Sequence, residues 1–281
     1  MKLSFTKMHG LGNDYIYFNC LHREPENPGE LSVALSDRHF GVGGDGIVLI
    51  LPSNVADYRM RMFNADGSEG KMCGNAIRCV GKYLFDNGIT DKTELAIETL
   101  SGNKRLKLGV ADGSVESVEV SMGKPELSPP LIPVLSDRES FINQPVAVGG
   151  REYLVTAVSM GNPHAVIFMS GIDSLDLQTI GPKFEHHPLF PERVNTEFVE
   201  VLGDDHIKMR VFERGSGETL ACGTGACASV VASVLNHRCE KNREITVTLL
   251  GGELKITWMP DDTVLMKGPA TKVFDGVIDC F

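Results

Sequence analysis

Apolar and polar positions follow two periodicities along this chain. Residues 114–122 and 253–258 alternate apolar with polar side chains, a pattern typical of half-buried strands. Ile77, Val80 and Leu84 instead recur at helical spacing and form one apolar stripe. The pattern predicts a mixed α/β chain in which short strands surround helices.

A second helix is predicted where the sequence carries no charge from Ala226 to Asn236. Its positions are apolar or small all round, so we expect this helix to be buried on every side. The first helix is expected to end at Asn87-Gly88, a left-handed stop. A sheet that curls round a central helix would cover such a helix on all its faces.

The two halves of the chain repeat one another. "FNADGSEGKMCGNAIRC" begins at Phe63 and "FERGSGETLACGTGACA" begins at Phe212. In each, an aromatic strand end and a loop rich in Gly, Ser and Glu lead to a Cys-Gly pair that opens a helix. The likeness continues downstream, in residues 94–108 and 244–258. The chain is therefore interpreted as two copies of one α/β unit.

Proline and glycine mark the boundary between the copies. They cluster in residues 123–133, where we place the connection. Residues 272–281 read as one strand too many for the second copy and are expected to return to the first. The predicted domains are residues 1–122 with 270–281, and residues 123–269.

Composition narrows the class of protein. The 281 residues are 42% apolar and 23% charged, which fits one large globular domain or two ordinary ones. A formal net charge of −10 disfavours nucleic-acid and anionic membrane partners, since clustered Lys and Arg bind both. The sequence has no signal-peptide pattern and nothing near the roughly 18 apolar residues of a transmembrane helix. We expect a cytoplasmic protein whose cysteines are mostly reduced.

The cysteines do not form the pattern of a disulfide framework or a zinc site. There are seven, an odd number, and no two stand in C-x-x-C spacing. His186-His187 lacks a surrounding carboxylate–histidine helix pattern and is expected to lie in a loop, so no metal site is predicted. Five cysteines are interpreted as packing residues, namely Cys20, Cys79, Cys227, Cys239 and Cys280.

Cys73 and Cys222 differ from the other cysteines because each opens a predicted helix. The unpaired N–H groups and the macrodipole favour a thiolate there, so we expect each thiol to have a pKa below its ordinary value of about 8.5. Gly74 and Gly223 leave the backbone open for an anion to approach the amides that follow.

Two such thiols, related by a repeat, suit one reaction class. A thiolate can remove a proton from one face of a carbon while a thiol returns a proton to the other face. The two helix N-termini would stabilise negative charge that grows on a neighbouring carboxylate. Such chemistry needs no cofactor. None is predicted, because "GVGGDG" at 41–46 lacks G-x-G-x-x-G and a P-loop is absent from the sequence.

Motifs spread over nearly the whole chain carry a family resemblance. They are "KMHGLGNDY", "FNADGSE", "MCGNAIRC", "MGNPH", "RVNTEF", the pair Glu213-Arg214 and "ACGTGACA". In these motifs the chain resembles the diaminopimelate epimerases. These PLP-independent enzymes interconvert the LL and meso forms of 2,6-diaminopimelate on the route to lysine and peptidoglycan. The resemblance implies an α/β fold of the α+β type. It has two pseudo-symmetric domains, each a mostly antiparallel sheet curled round a central helix, with the active site in the cleft between them.

The resemblance also implies roles for single residues. Cys73 and Cys222 would be the two acid/base residues, and His164 and Glu213 would tune their acidity. Backbone amides that would hold the reacting carboxylate lie at Gly74, Asn75, Gly223 and Thr224. Side chains that would bind the rest of the substrate are Asn13, Asn64, Asn162, Asn195, Glu213 and Arg214.

Other positions bear on this resemblance. Gly46 stands where some family members carry Gln, so a side-chain contact is lost there, and Ala165 after "GNPH" is a milder departure. Asn64 and Asp66 could instead simply build a turn. The resemblance further implies a small-molecule substrate, diaminopimelate, and a homodimer formed through the C-terminal strand near Phe274.

Three alternatives remain open from the sequence. One is another cofactor-free isomerase on the same doubled fold, such as a proline racemase or an isomerase of the phenazine-pathway type. A thiol redox protein would cycle a disulfide between Cys73 and Cys222. A non-catalytic amino-acid binding module would keep full function after both cysteines are replaced by serine.

Overall fold

The structure is a computed structural model that describes residues 2–279. The chain divides into two compact units, one of Met1–Val120 with Lys267–Phe281 and the other of Ser121–Met266. Cys280, interpreted above as a packing residue, lies outside the described residues. Across residues 2–279, no helix combines the length and the apolar character that a bilayer crossing requires.

Strands outnumber helices in the described residues. The helices are α1 (Pro28–Ser36), α2 (Gly74–Asp86), α3 (Leu177–Glu185) and α4 (Gly223–Leu235), with short 3₁₀ turns at Pro129–Leu131 and Ile172–Ser174. The strands are β1 (Lys2–Gly10), β2 (Asn13–Asn19), β3 (Gly46–Leu51), β4 (Tyr58–Asn64), β5 (Glu69–Gly70), β6 (Glu94–Glu98), β7 (Lys104–Ala111), β8 (Ser114–Gly123), β9 (Gln144–Val148), β10 (Arg151–Ser159), β11 (Pro163–Phe168), β12 (Asn195–Gly203), β13 (His206–Glu213), β14 (Gly217–Glu218), β15 (Glu244–Leu249), β16 (Gly252–Trp258), β17 (Val264–Gly268) and β18 (Thr271–Asp279).

The first unit pairs its strands in a mostly antiparallel order. β1 pairs with β2, β3 with β4, β4 with β5, β6 with β7 and β7 with β8, all antiparallel. Two pairs are parallel, β2 with β3 and β4 with β6. Each parallel pair is separated along the chain by a helix, α1 or α2, because parallel neighbours need a crossover connection.

The second unit repeats this order element by element. β10 pairs with β11, β12 with β13, β13 with β14 and β15 with β16, all antiparallel. The parallel pairs are β11 with β12 and β13 with β15, separated along the chain by α3 and α4. The helices match in length as well, since α1 and α3 have 9 residues each and α2 and α4 have 13 each. The duplication predicted from the sequence is therefore present in the strand order of the fold.

The C-terminal strand belongs to the first unit. β18 runs antiparallel to β1, from the pair Lys2 with Asp279 to the pair His9 with Thr271. In the second unit β9 pairs antiparallel with β10, which is the equivalent of β1. β18 thus gives the first unit the outer strand that β9 gives the second.

The central helix of each unit is buried. In α2 the buried positions include Ile77, Val80 and Leu84, the stripe predicted from helical spacing. α2 ends at Asp86 with Asn87 as its C-cap, and Gly88 follows with φ of +65°, the left-handed stop. α4 is buried from Gly225 to Ser233, in agreement with its lack of charge. Because both helices are fixed in the core, the residues at their N-termini are held in place by packing.

Candidate active site

Cys73 caps the N-terminus of α2. Its backbone is extended, with φ of −130° and ψ of 122°, and its sulfur accepts a hydrogen bond from the amide of Ala76 at 3.5 Å. The thiol donates to Asn13 Oδ1 at 3.3 Å. Cys73 is half-buried, whereas Gly74 and Asn75, the first helical residues, are buried. The structure thus brings together Asn13 and Cys73, which lie far apart in the sequence.

A carboxylate holds the side chain of Asn13 in position. Asn13 Nδ2 donates to Asp45 Oδ2 at 2.7 Å, which leaves the amide oxygen of Asn13 facing Cys73. Arg38 bridges Asp45 and Asp14, at 3.1 and 2.8 Å. Burial raises the pKa of Asp45, and the charge of Asp14 raises it further. Sequence reasoning missed Asp45, because a single carboxylate in the glycine-rich segment 41–46 carries no local sign that it contacts Asn13.

Asn64 is the last residue of β4, at the start of the turn that leads to β5. Its side chain donates to Ser68 Oγ at 3.0 Å, and its backbone amide donates to the Ser68 carbonyl at 2.9 Å. Asp66 accepts from the amide of Ser68 at 2.9 Å in the same turn. These hydrogen bonds fit the interpretation that Asn64 and Asp66 build a turn. None of them involves Cys73 or Asn13.

Cys222 caps the N-terminus of α4 in the same way. Its backbone is extended, with φ of −114° and ψ of 110°, and its sulfur accepts from the amide of Gly225 at 3.4 Å. Thr224 Oγ1 lies 3.5 Å from the sulfur. Only 5% of Cys222 is exposed, so this thiol is more enclosed than Cys73.

The environment of Cys222 reverses one prediction. Burial raises the pKa of the Cys222 thiol well above its usual value, and the negative charges of Glu213 and Glu197 raise it further. Hydrogen bonds from Thr224 and Gly225 oppose that rise without overcoming it. The predicted lowering of this pKa is therefore wrong for Cys222, because desolvation and two carboxylates outweigh the helix N-terminus. In this state Cys222 keeps its proton.

Glu213 is a carboxylate near the Cys222 thiol, and its negative charge raises the pKa of that thiol. It stands at the end of β13 and also accepts a hydrogen bond from the Thr219 hydroxyl. Burial raises the pKa of Glu213, while its hydrogen bonds with Thr219 and Cys222 lower it to a smaller extent. A carboxylate of raised pKa beside a protonated thiol is a better proton acceptor than an exposed one.

His164 lies wholly buried on β11. Its Nδ1 is 2.7 Å from Glu197 Oε1, and its Nε2 is 3.0 Å from Asn162 Oδ1. Glu197 is also completely buried. Sequence reasoning proposed His164 and Asn162 but missed Glu197, because within "NTEFVEV" a glutamate looks like the solvent-facing position of a strand.

Asn195 uses both polar atoms of its side chain on the backbone. Its Nδ2 donates to the Pro163 carbonyl at 2.8 Å, and its Oδ1 accepts from the amide of Arg214 at 3.0 Å. Arg214 is half-buried, and its guanidinium donates to the Glu192 carbonyl at 2.8 Å. In this structure Asn195 therefore positions the backbone of Arg214.

The cysteines interpreted as packing residues, and the histidine predicted to lie in a loop, are the last residues to place. Cys20, Cys79, Cys227 and Cys239 are buried and form no disulfide, and burial raises the pKa of Cys20 to about 12 and that of Cys79 to about 11. His187 contacts the Ala147 carbonyl at 3.2 Å in the loop after α3. Among the described residues, no cluster of side chains suits a metal ion.

Comparisons with known proteins agree on one family. The family model described as diaminopimelate epimerase matches residues 5–128 and 156–273. The diaminopimelate epimerase of Acetivibrio thermocellus is 60% identical over 278 residues, which is 99% of each chain. That of Desulfovibrio desulfuricans is 57% identical over 281 residues, covering 98% of this chain and 97% of its own.

Solved structures share the fold at low sequence identity. A phenazine biosynthesis protein of the PhzF family from Bacillus anthracis superposes with a TM-score of 0.74 at 16% identity, over 100% of both chains. A hydroxyproline epimerase from Agrobacterium vitis, with bound trans-4-hydroxy-L-proline, gives 0.70 at 14% identity, over 99% of this chain and 91% of its own. The mixed α/β fold predicted from the sequence is confirmed, including its doubled, sheet-dominated units.

Proposed function

Because the chain belongs to the diaminopimelate epimerase family, we propose that it interconverts LL- and meso-2,6-diaminopimelate by inverting one α carbon. The observation that carries the proposal is the pair of equivalent cysteines, Cys73 and Cys222, each the N-cap of a buried central helix. The product lies on the route to lysine, and the meso form also serves peptidoglycan.

Each thiol is proposed to act on one face of the α carbon. In one direction a thiolate removes the α proton and the other thiol delivers a proton from the opposite side. In the other direction the two roles exchange. The route uses no pyridoxal phosphate, since the thiol pair supplies both the base and the acid.

Cys222 is proposed to enter the cycle in its protonated form. It can then deliver a proton at once in the direction that uses it as the acid. In the reverse direction it must first lose that proton, and Glu213, a nearby carboxylate of raised pKa, is the proposed acceptor. Glu213 and His164 are thus proposed to tune the acidity of the two thiols, the roles that the family resemblance implies for them.

Substrate binding is proposed to use the helix N-termini and the polar side chains around them. Buried amides at Gly74, Asn75 and Gly223, with that of Thr224, would hold the reacting carboxylate, because the first turn of a helix offers unpaired N–H groups. The rest of the substrate would contact Asn13, Asn64, Asn162, Asn195, Glu213 and Arg214. Asn13 is supported most directly, since Asp45 fixes its amide beside Cys73.

We propose two epimerase domains, residues 1–122 with 270–281 and residues 123–269, whose bounds differ by two or three residues from those of the two compact units. The repeated strand order within each unit supports this division. We also propose that the enzyme is cytoplasmic. It is proposed to have no nucleic-acid or membrane partner, because a formal net charge of −10 repels such anionic surfaces.

The activity is tested by isotope labelling at one carbon. After incubation with LL-diaminopimelate in deuterated water, the meso product should carry one deuterium, at the inverted α carbon, because its new proton comes from solvent-exchanged thiols. Mass spectrometry and proton NMR measure it. L-Proline under the same conditions should stay unlabelled. Meso product without label, or labelled proline in place of diaminopimelate, would contradict the proposal.

A homodimer is proposed through β18. Val273, Phe274 and Val277 on this strand are 55%, 44% and 61% exposed, although apolar side chains on one strand favour burial. Phe274 also packs edge-on against Phe5, with ring centroids 5.9 Å apart, so the aromatic is anchored on its own unit. A second copy covering β18 would bury these side chains.

Sedimentation velocity tests the dimer. Val277→Glu should shift the protein from dimer to monomer, because the proposed contact would bury an uncompensated charge. Val55→Glu is the matched control, since Val55 is 67% exposed and lies outside β18. The proposal is wrong if the wild type sediments as a monomer, or if Val277→Glu and Val55→Glu behave alike.

A further inference from the structure

Glu185 is a buried side chain at the end of α3, and the proposed mechanism gives it no role. Only 6% of the residue is exposed. Its Oε1 accepts two hydrogen bonds, from the backbone amide of Gly215 at 2.9 Å and from the Arg193 guanidinium at 3.2 Å. Both donors are N–H groups that cannot accept, and Oε1 has lone pairs for both bonds whether or not the carboxyl carries a proton. The direction of the two bonds is therefore fixed by the donors alone.

Gly215 belongs to the loop that carries Arg214. Glu213 pairs with Gly217 in the hairpin of β13 and β14, so the loop consists of Arg214, Gly215 and Ser216. β14 has only two residues, and a two-stranded ladder of that length does little to fix the loop at its tip. The conformation of this loop therefore depends on contacts from outside the hairpin.

Side chains of other elements supply those contacts. The amide of Arg214 donates to Asn195 Oδ1 at 3.0 Å, and the amide of Gly215 donates to Glu185 Oε1 at 2.9 Å. Gly215 has φ of +79°, the left-handed conformation with which the chain reverses direction. Glu185 thus holds the middle residue of the loop at the point where the chain turns.

Glu185 also joins the loop to the segment that the side chain of Arg214 contacts. The Arg214 guanidinium donates to the Glu192 carbonyl at 2.8 Å. The next residue, Arg193, donates its own guanidinium to Glu185. One carboxylate oxygen therefore connects the backbone beside Arg214 with the segment that receives its guanidinium.

The first unit anchors its equivalent turn from the equivalent helix. α1 follows β2 as α3 follows β11, and both helices separate a parallel pair of strands. Ser32 on α1 is completely buried, and its hydroxyl donates to the Asn64 carbonyl at 2.8 Å. Asn64 ends β4 as Glu213 ends β13. In each unit the helix therefore binds the turn that precedes the cysteine, through a hydroxyl donor in one and a carboxyl acceptor in the other.

We propose that Glu185 is a positioning residue that fixes the loop of residues 214–216 and, through it, the guanidinium of Arg214. A guanidinium binds a carboxylate through two parallel N–H groups, so its plane must be held in one orientation toward the ligand. This inference rests on the proposed function, in which Arg214 contacts the substrate. Glu185 acts through the loop and is not itself a substrate contact.

Amide hydrogen exchange of the ligand-free protein, measured by mass spectrometry, tests the contact. Glu185→Met keeps the length of the side chain and removes the acceptor. Peptides that span residues 213–217 should then exchange about 10-fold faster, because the amide of Gly215 loses its partner. Peptides from the rest of the second unit should exchange as in the wild type.

Glu200→Met is the matched control. Glu200 Oε1 also accepts from the amide of a glycine, Gly171, at 3.0 Å. Its replacement should speed exchange around residue 171 and leave residues 213–217 unchanged. The inference is overturned if exchange at residues 213–217 is unchanged in Glu185→Met. It is equally overturned if that variant does not fold or exchanges faster throughout the second unit, since Glu185 would then serve stability alone.

Steady-state kinetics tests the effect on Arg214. Glu185→Met should raise KM for diaminopimelate about 10-fold with kcat nearly unchanged, because Arg214 would bind the substrate equally in the ground and transition states. Glu185→Gln should keep KM within about 3-fold of the wild type, since its amide oxygen can still accept from Gly215. Glu200→Met should leave both constants unchanged.

Two kinetic results contradict the inference. They are a wild-type KM in Glu185→Met, and an equal rise of KM in Glu185→Gln and Glu185→Met. If the wild type does not act on diaminopimelate, the proposed function fails, whereas the exchange rates of residues 213–217 still decide whether Glu185 holds the loop.

Discussion

Replacing either Cys73 or Cys222 by serine should lower net epimerisation of diaminopimelate by about 10³-fold. A serine hydroxyl keeps the N-cap hydrogen bond but is far too weak an acid to exchange its proton with a carbon at neutral pH. The two substitutions should have similar effects, because every turnover needs both a base and an acid. Conversion of LL to meso substrate, followed by chiral chromatography, measures the loss.

Cys239→Ser is the control for this experiment. Cys239 is a buried free thiol that lies away from the N-terminus of either central helix. Its replacement should change thermal stability slightly and leave turnover unchanged. Full activity of the double variant Cys73→Ser, Cys222→Ser would fit a binding module and reject the two-thiol mechanism. Turnover that tracks the formation of a disulfide would instead support the redox alternative.

Replacing Gly46 by glutamine should destabilise this protein by about 3 kcal/mol or more. A Cβ on Gly46 would lie 2.0 Å from the Phe63 carbonyl oxygen and 2.9 Å from the ring of Tyr15. The backbone at Gly46 has φ of +154°, which side chains rarely adopt. Strand β3 would have to move, since neither the carbonyl nor the buried ring can yield easily.

The same change should also impair catalysis. Gly46 stands opposite Asn64 in the pairing of β3 with β4, so a displaced strand moves a proposed substrate contact. Urea denaturation followed by circular dichroism gives the free energy of unfolding, and steady-state kinetics gives KM. Gly203→Gln is the control, because a Cβ there meets nothing within 4 Å. Gly46→Gln with wild-type stability would mean that the backbone at this position is not fixed as the structure has it.

The sequence predicted the repeated architecture because its signals are local. The cysteine that precedes each helix, the apolar stripe from Ile77 to Leu84 and the uncharged run from Ala226 all lie within a few turns of chain. Such signals locate a helix and its N-cap. They do not fix which strands are neighbours, so the two parallel pairs in each unit came from the structure.

Only part of the candidate site was predicted, because only some of its residues carry a local signal in the sequence. The cysteines and the glycines after them were found from their place at a helix start. Asp45 and Glu197 were missed, because each acts on a residue brought to it by folding, Asn13 in one unit and His164 in the other. A single carboxylate in a strand or loop carries no local sign that it is buried.

The amino-acid sequence by itself determined the family, the duplication and the two cysteines at the helix N-termini. Only the tertiary structure decided in which direction the pKa of the Cys222 thiol is shifted. A helix N-terminus favours a thiolate at Cys222, yet burial together with Glu213 and Glu197, which come from β13 and β12, keeps that thiol protonated. The physical reason is that macrodipole and capping effects arise within one turn of chain. Desolvation and the carboxylate charges, which both raise the pKa of the thiol, depend on which strands fold against the helix.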